Sequence, residues 1–129
     1  MAIKPTVSKL KKRADKSFSY YTRKRYADHR GFIKCCTCGS YRRWIEVDAG
    51  HYIPRGHNSV RYDERNVHPQ CKQCNMNGGE PGAYTLFLID KYGQDVIESL
   101  TSDGNKLKQF KCDELQEIIT HYDREYKKL

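Results

Sequence analysis

The chain has 129 residues, a length for one domain that can bury a modest core. Its apolar fraction is 37% and its mean hydropathy is -0.91, and no stretch approaches the run of about 20 apolar residues that spans a bilayer, which excludes a bundle of membrane helices. A net charge of +8 and a pI near 9.2 favour a polyanionic partner through counterion release, with nucleic acid ahead of an acidic membrane surface; basic N-terminal residues without a following apolar run do not read as a secretory signal, so the cytoplasm is the expected compartment.

Between about residues 5 and 29, Leu10, Ala14, Phe18 and Tyr21 recur at helical steps among Lys11, Lys12, Arg13, Lys16, Arg23, Lys24 and Arg25, which predicts a basic amphipathic helix ended by Gly31. Such a helix packs one face on the domain, and Lys11, Lys12 and Arg13 on the other face are candidates for DNA-backbone contact. From Phe32 to Pro54 short strands are expected, with Cys35 to Gly39 as a knuckle and Trp44 to Ile53 as the better strand. Residues 55–70 carry Gly, Asn, Asp and Pro with no sustained period and read as a loop. A helix follows through Ala83, Tyr84, Phe87, Leu88 and Lys91 to Gly93, then a short one around Val96, Ile97 and Leu100, then a turn over Thr101 to Asn105. The last helix places Leu115, Ile118, Ile119, Tyr122 and Tyr126 on one side, with Asp113 and Glu114 at its start and Lys127 and Lys128 at its end, as the helix dipole favours.

The most specific metal signal is a pair of C-x-x-C motifs, Cys35 with Cys38 and Cys71 with Cys74, which can supply four thiolates to one tetrahedral structural zinc ion. Cys36 and Cys112 are left over and read as partly buried thiols. The expected class is therefore α+β: a zinc-stapled core over residues 32–80, between a basic N-terminal helix at 5–30 and a helical part at 82–129, in a single domain spanning 1–129.

Between the cysteine pairs lie Asp48-Ala-Gly-His51-Tyr-Ile-Pro54 and Arg61-Tyr-Asp-Glu-Arg-Asn66-Val-His68, and Asn75 directly follows Cys74. A strand carrying a His, a loop, an Asn, and a C-x-x-C-Asn entering a helix resemble the HNH or His-Me finger motif in its zinc-containing form. The resemblance implies a ββα-metal fold in which His51 is the general base, Asn66 braces the loop that holds it, and Asn75 is a ligand of a catalytic Mg²⁺ or Mn²⁺. Imidazole suits the base because its ordinary pKa lies near neutrality, and a divalent ion would stabilise the departing oxygen.

The motif usually has an acidic ligand directly before the His, where this chain has Gly50. Asp48 shares the strand parity of Gly50 but lies roughly 6.6 Å away along an ideal strand. A bulge at Gly50 would bring Asp48 to the ion; otherwise His68, near the second knuckle, takes over as a metal ligand, or Asp48 orients a ligand from behind it. Arg55, Arg61 and Arg65 flank the site and are candidate phosphate clamps, Arg61 foremost. His57 and Asp63 read as exposed loop residues.

The runs DAGHYIPRG and RYDERNVHPQCKQCN, the Gly-rich step, the Tyr-bearing helix, KYGQDVIESL and FKCDELQEI are similar to the phage NinG/Rap recombination endonucleases, from residue 18 onward. That resemblance implies a structure-specific DNA endonuclease for branched recombination intermediates such as D-loops and Holliday junctions, in the cytoplasm of a phage-infected or lysogenic bacterium. A more distant likeness to RecA-directed Ref nucleases implies a recombinase partner. Symmetry matching to a four-way junction implies a homodimer, and Tyr20, Tyr21 and Tyr26 are exposed-aromatic candidates for its contact or for base stacking. Two other readings stand beside this one: an HNH nuclease for restriction, homing or RecA-directed cutting, and a non-catalytic zinc DNA-binding module.

Overall fold

The computed structural model describes residues 3–129, which form a mixed α+β fold of five helices and two small two-stranded sheets. Helix α1 spans Val7–Lys24, its start capped by Thr6, whose hydroxyl accepts the Lys9 N–H at 3.2 Å. It stops five residues short of the expected end. The chain then turns back so that the Asp28 carboxylate takes the backbone N–H groups of Arg30 and Phe32. Leu10, Ala14 and Phe18 form its buried stripe, and α1 packs chiefly on α5, Cys112–Lys127. Leu10 and Ala14 meet Leu115 and Ile119, while Phe18 meets Tyr122 and Val67.

Strands β1, Phe32–Lys34, and β2, Tyr41–Arg43, form the hairpin that carries the first cysteine pair at its turn. The long strand expected from Trp44 is shorter than its pattern suggests. Trp44–Glu46 is a 3₁₀ turn, because the buried Arg23 guanidinium of α1 gathers the carbonyls of Trp44, Ile45 and Val47, each at 3.4 Å. Strand β3 is Asp48–His51.

The expected loop over 55–70 ends instead in a strand: β4, Val67–Gln70, pairs antiparallel with β3. All four of its residues are buried, so its sequence shows no alternation. The ladder runs one to one, with Asp48 opposite Gln70 and His51 opposite Val67, and therefore contains no bulge at Gly50. Helix α2, Lys72–Met76, follows β4 at once, and Gly78 and Gly79 with φ of 72° and 80° turn the chain into α3, Pro81–Tyr92. Helix α4 is Val96–Gly104, so the turn expected over Thr101 to Asn105 is mostly helical. Its end is held because the Asp103 carbonyl accepts the Ser59 hydroxyl at 2.6 Å and Gly104 packs on Ile53. Val60, Tyr84, Leu88, Val96 and Leu100 make the core of this half. Among the described residues no helix is long and apolar enough to cross a membrane.

Candidate functional site

The hairpin turn and the N-terminus of α2 bring the four paired cysteines together: the sulfurs of Cys35, Cys38, Cys71 and Cys74 all lie within 4.8 Å of one another. A tetrahedron of Zn–S bonds of about 2.3 Å has edges of about 3.8 Å, and Cys38 Sγ stands 3.8 Å from Cys71 Sγ. Burial works against ionisation of Cys35, but the Cys71 N–H, the Thr37 hydroxyl and further backbone N–H groups outweigh it and bring its thiol down to about 6. The donor set is thus four clustered sulfurs, compatible with a zinc ion. Cys36 differs: burial pushes its thiol far up, so it stays protonated beside the cluster. Cys112 is exposed rather than partly buried.

An open cleft of about 720 Å³ lies between α1, β3 and α2, lined among others by Asp15, Arg23, Asp48, His51, Arg55, Lys72 and Asn75. Strand β3 supplies Asp48 and His51, and α2 supplies Lys72 and Asn75. The Asp48 carboxylate accepts the Asn75 amide at 3.0 Å and the Lys72 ammonium at 2.7 Å. Partial burial opposes its ionisation, but these two partners hold the carboxyl below the usual carboxylate range. Asp48 and Asn75 therefore meet without a bulge.

His51 is half-buried, and its Nε2 lies 2.9 Å from the backbone carbonyl of Arg61. A carbonyl only accepts, so Nε2 carries the proton and Nδ1 keeps its lone pair, unengaged among the described residues. Burial lowers the imidazole pKa below its ordinary value, and the nearby charges of Arg55 and Arg61 act in the same direction. The ring is neutral near pH 7.

Asn66 is fully buried and does not line the cleft. Its carboxamide takes the Ile53 N–H at 2.8 Å and donates to the carbonyls of Ile53 and Val60, tying both ends of the 53–66 loop together. His68 is not brought to the cleft. It sits fully buried, with Nε2 2.8 Å from the Tyr92 hydroxyl, among the rings of Tyr26, Tyr84, Phe87 and Tyr92. Burial, then Arg25 and Lys91, push its pKa down to about 3.

The three candidate clamps divide. Arg55 is 61% exposed at the cleft rim, with one guanidinium nitrogen 3.8 Å from Asp15 and the rest free to meet a phosphate. Arg61 is only 12% exposed, because its fork closes on Asp15 at 2.9 and 2.6 Å and a third nitrogen donates to the Arg55 carbonyl. Arg65 is likewise engaged, by Asp63, Asp103 and Ser99. Lys12 and Arg13 are exposed on α1, while Lys11 is partly covered, its ammonium 6.0 Å from the Phe110 ring centre. His57 is exposed, and Asp63 is committed to Arg65. Tyr26 is exposed, whereas Tyr20 and Tyr21 are partly covered by packing on Trp44, Tyr126 and Tyr122.

Sequence reading missed Asp15, Arg23 and Lys72 in the cleft. A signal existed for Asp15, the one acidic residue in the basic run of α1.

Compared with known proteins, the whole chain, residues 1–129, matches the family model described as Bacteriophage Lambda NinG protein. The chain belongs to the NinG family. Similar relatives are protein ninG of Escherichia phage 933W, 31% identical over 131 residues that cover 100% of this chain and 62% of that protein, and protein ninG of Salmonella phage P22, 31% identical with 100% and 61% covered. Protein ninG of Escherichia phage lambda is 30% identical, again over 100% of this chain and 61% of its own length. The chain thus spans about three fifths of the curated NinG relatives it matches. No solved structure matches it.

Proposed function

We propose that this chain is a metal-dependent DNA endonuclease of the HNH type that cuts branched recombination intermediates, stapled by one zinc ion on Cys35, Cys38, Cys71 and Cys74. The observation that carries the reading is the tautomer of His51: a neutral ring, anchored at Nε2, presents Nδ1 from a cleft that also holds the Asp48–Asn75 oxygens and the exposed Arg55. Antiparallel β3 and β4 followed by α2 support the ββα part of the reading.

The chemistry asked of these residues is phosphodiester hydrolysis. Nδ1 of His51 takes a proton from the water that attacks phosphorus, as a neutral imidazole can near pH 7. Arg55 meets the phosphate, and Lys12, Arg13 and Lys11 on α1 meet the backbone beyond the cleft, with sequence-independent charge contacts. The hard oxygens of Asp48 and Asn75 fit a divalent ion such as Mg²⁺ or Mn²⁺, which when bound supplies Lewis-acid stabilisation of the leaving oxygen. His68 has no part in this.

The preference for branched DNA comes from the family likeness. Its test is cleavage of labelled four-way junction, D-loop, single strand and linear duplex at one fixed near-physiological salt concentration, with Mg²⁺ or Mn²⁺ against EDTA, beside His51→Ala. Metal-dependent cutting of the branched substrates that the variant loses is the expected result. Equal cutting of every duplex would remove the branch preference, and binding without cutting would leave a DNA-binding module.

A further inference from the structure

The Arg61 carbonyl that orients His51 belongs to a residue whose side chain is itself gripped from another element. Asp15 lies on α1, next to the buried Ala14, on a helix fixed by Leu10, Ala14 and Phe18 against α5 and β4. Its two oxygens receive Nε and Nη2 of Arg61 at 2.9 and 2.6 Å, and one of them also receives the Tyr62 hydroxyl at 2.8 Å. The remaining Arg61 nitrogen donates to the Arg55 carbonyl at 2.7 Å, and the Arg61 N–H bonds back to the Asn58 carbonyl at 3.3 Å. Residue 61 is therefore held at its backbone and through every limb of its guanidinium. Its carbonyl has one direction in which to point, and His51 Nε2 meets it at 2.9 Å.

We propose that Asp15 is a positioning residue for the base, acting through Arg61 to fix the tautomer and ring orientation of His51; this rests on His51 being the general base. The motif residues of β3, β4 and α2 do not include it. A two-pronged carboxylate–guanidinium pair suits the task because it fixes a plane as well as a distance. Hydrogen-bond partners that orient a metal-ligating histidine are worth roughly 10- to 100-fold when lost, and the same scale is expected for a partner that orients a basic imidazole. Burial opposes its ionisation, but the Arg61 and Tyr62 hydrogen bonds keep the Asp15 carboxyl charged, so the grip persists across the neutral range.

Two readouts on Asp15→Asn test this, with Arg61→Lys as a second variant that keeps the charge and loses the fork. The first is the Nε2–H proton resonance of His51 in isotope-labelled protein without DNA. The second is kcat and KM on the DNA that wild type cuts best. The expected result is loss of the Nε2–H signal to solvent exchange in both variants and a kcat lowered roughly 10- to 100-fold with KM within about threefold. An unchanged Nε2–H signal overturns the proposal, and so does a raised KM at constant kcat, which would make Asp15 a contributor to DNA contact alone. If wild type cuts nothing, the nuclease reading fails by itself, while the imidazole resonance still decides whether Asp15 orients His51.

Discussion

Asp48 Oδ2 accepts the Asn75 amide at 3.0 Å, a contact that joins the start of β3 to α2 across the mouth of the cleft. If these oxygens hold the catalytic ion, Asp48→Ala and Asn75→Ala each lower metal-dependent cutting by at least about 100-fold, the upper range for supporting partners of a metal site. Raising Mn²⁺ should recover part of the loss. Because Asp48 is partly exposed and its other partner is the exposed Lys72, thermal stability should change little. Cutting at the wild-type rate by Asp48→Ala would sink the assignment.

If His51 is the base, its surroundings set the pH profile of cutting. Its burial lowers the imidazole pKa below the ordinary value, so the neutral, active ring survives to lower pH than a solvent-exposed histidine would. The midpoint of the acid-side fall in rate should therefore lie below pH 6.5, measured as kcat/KM against pH at constant salt. A rate already halved above pH 6.5 would contradict a base in this environment.

The helices were legible because one-sided burial imposes a period: α1, α3 and α5 each follow their apolar stripe. β4 was not legible, because Val67, His68, Pro69 and Gln70 are buried on both faces and present no alternation to read. The four-cysteine cluster was legible from spacing alone, since two C-x-x-C pairs can supply the four thiolates of one tetrahedral site. The fate of the arginines was not. Arg61 and Arg55 look alike in sequence, but Asp15 from α1 closes on the fork of Arg61 at 2.6 Å and reaches only one nitrogen of Arg55, at 3.8 Å, so one is an internal brace and the other stays exposed. His68 is similar: nothing local announces the ring of aromatic side chains that α3 folds around it.

That ring sets a stability signature. His68 titrates near 3 in the folded chain against about 6.5 unfolded, so between those values the unfolded chain binds the extra proton. Stability contributed by the neutral ring is fully present above pH 6.5 and is lost as pH falls, at no more than about 1.4 kcal/mol per pH unit. The stability gap between wild type and His68→Gln, from urea melts, should therefore narrow steadily from pH 7 to pH 5. A gap independent of pH would show that His68 keeps its proton equilibrium on folding.

Zinc removal should unfold the domain. Structural zinc contributes on the order of 10 kcal/mol in small thiolate sites, while whole domains are stable by about 5–15 kcal/mol. Metal analysis of the purified protein should give one zinc per chain, and Cys71→Ser or a strong chelator should abolish the cooperative thermal transition. An unaltered transition in fully zinc-free protein would make the cluster an arrangement of thiols alone.

Gly50 on β3, next to His51, has no room for a side chain. A Cβ there would overlap Gln70 Oε1 and lie 2.9 Å from Gln70 Cβ. Gln70 cannot simply swing away, because its amide donates to the Gly79 carbonyl at 2.8 Å and to the Thr37 hydroxyl at 3.1 Å, bracing the turn after α2 and the knuckle beside Cys35. Gly50→Ala should therefore cost about 1–3 kcal/mol, the range for overpacking a filled site. Adding Gln70→Ala should shrink the cost of Gly50→Ala in a double-mutant cycle without abolishing it, because alanine removes the carboxamide but keeps the Cβ 2.9 Å away, and Gln70→Ala alone is destabilising through its two lost hydrogen bonds. Strict additivity of the two changes would mean that Gly50 is required for some reason other than the carboxamide pressed against it.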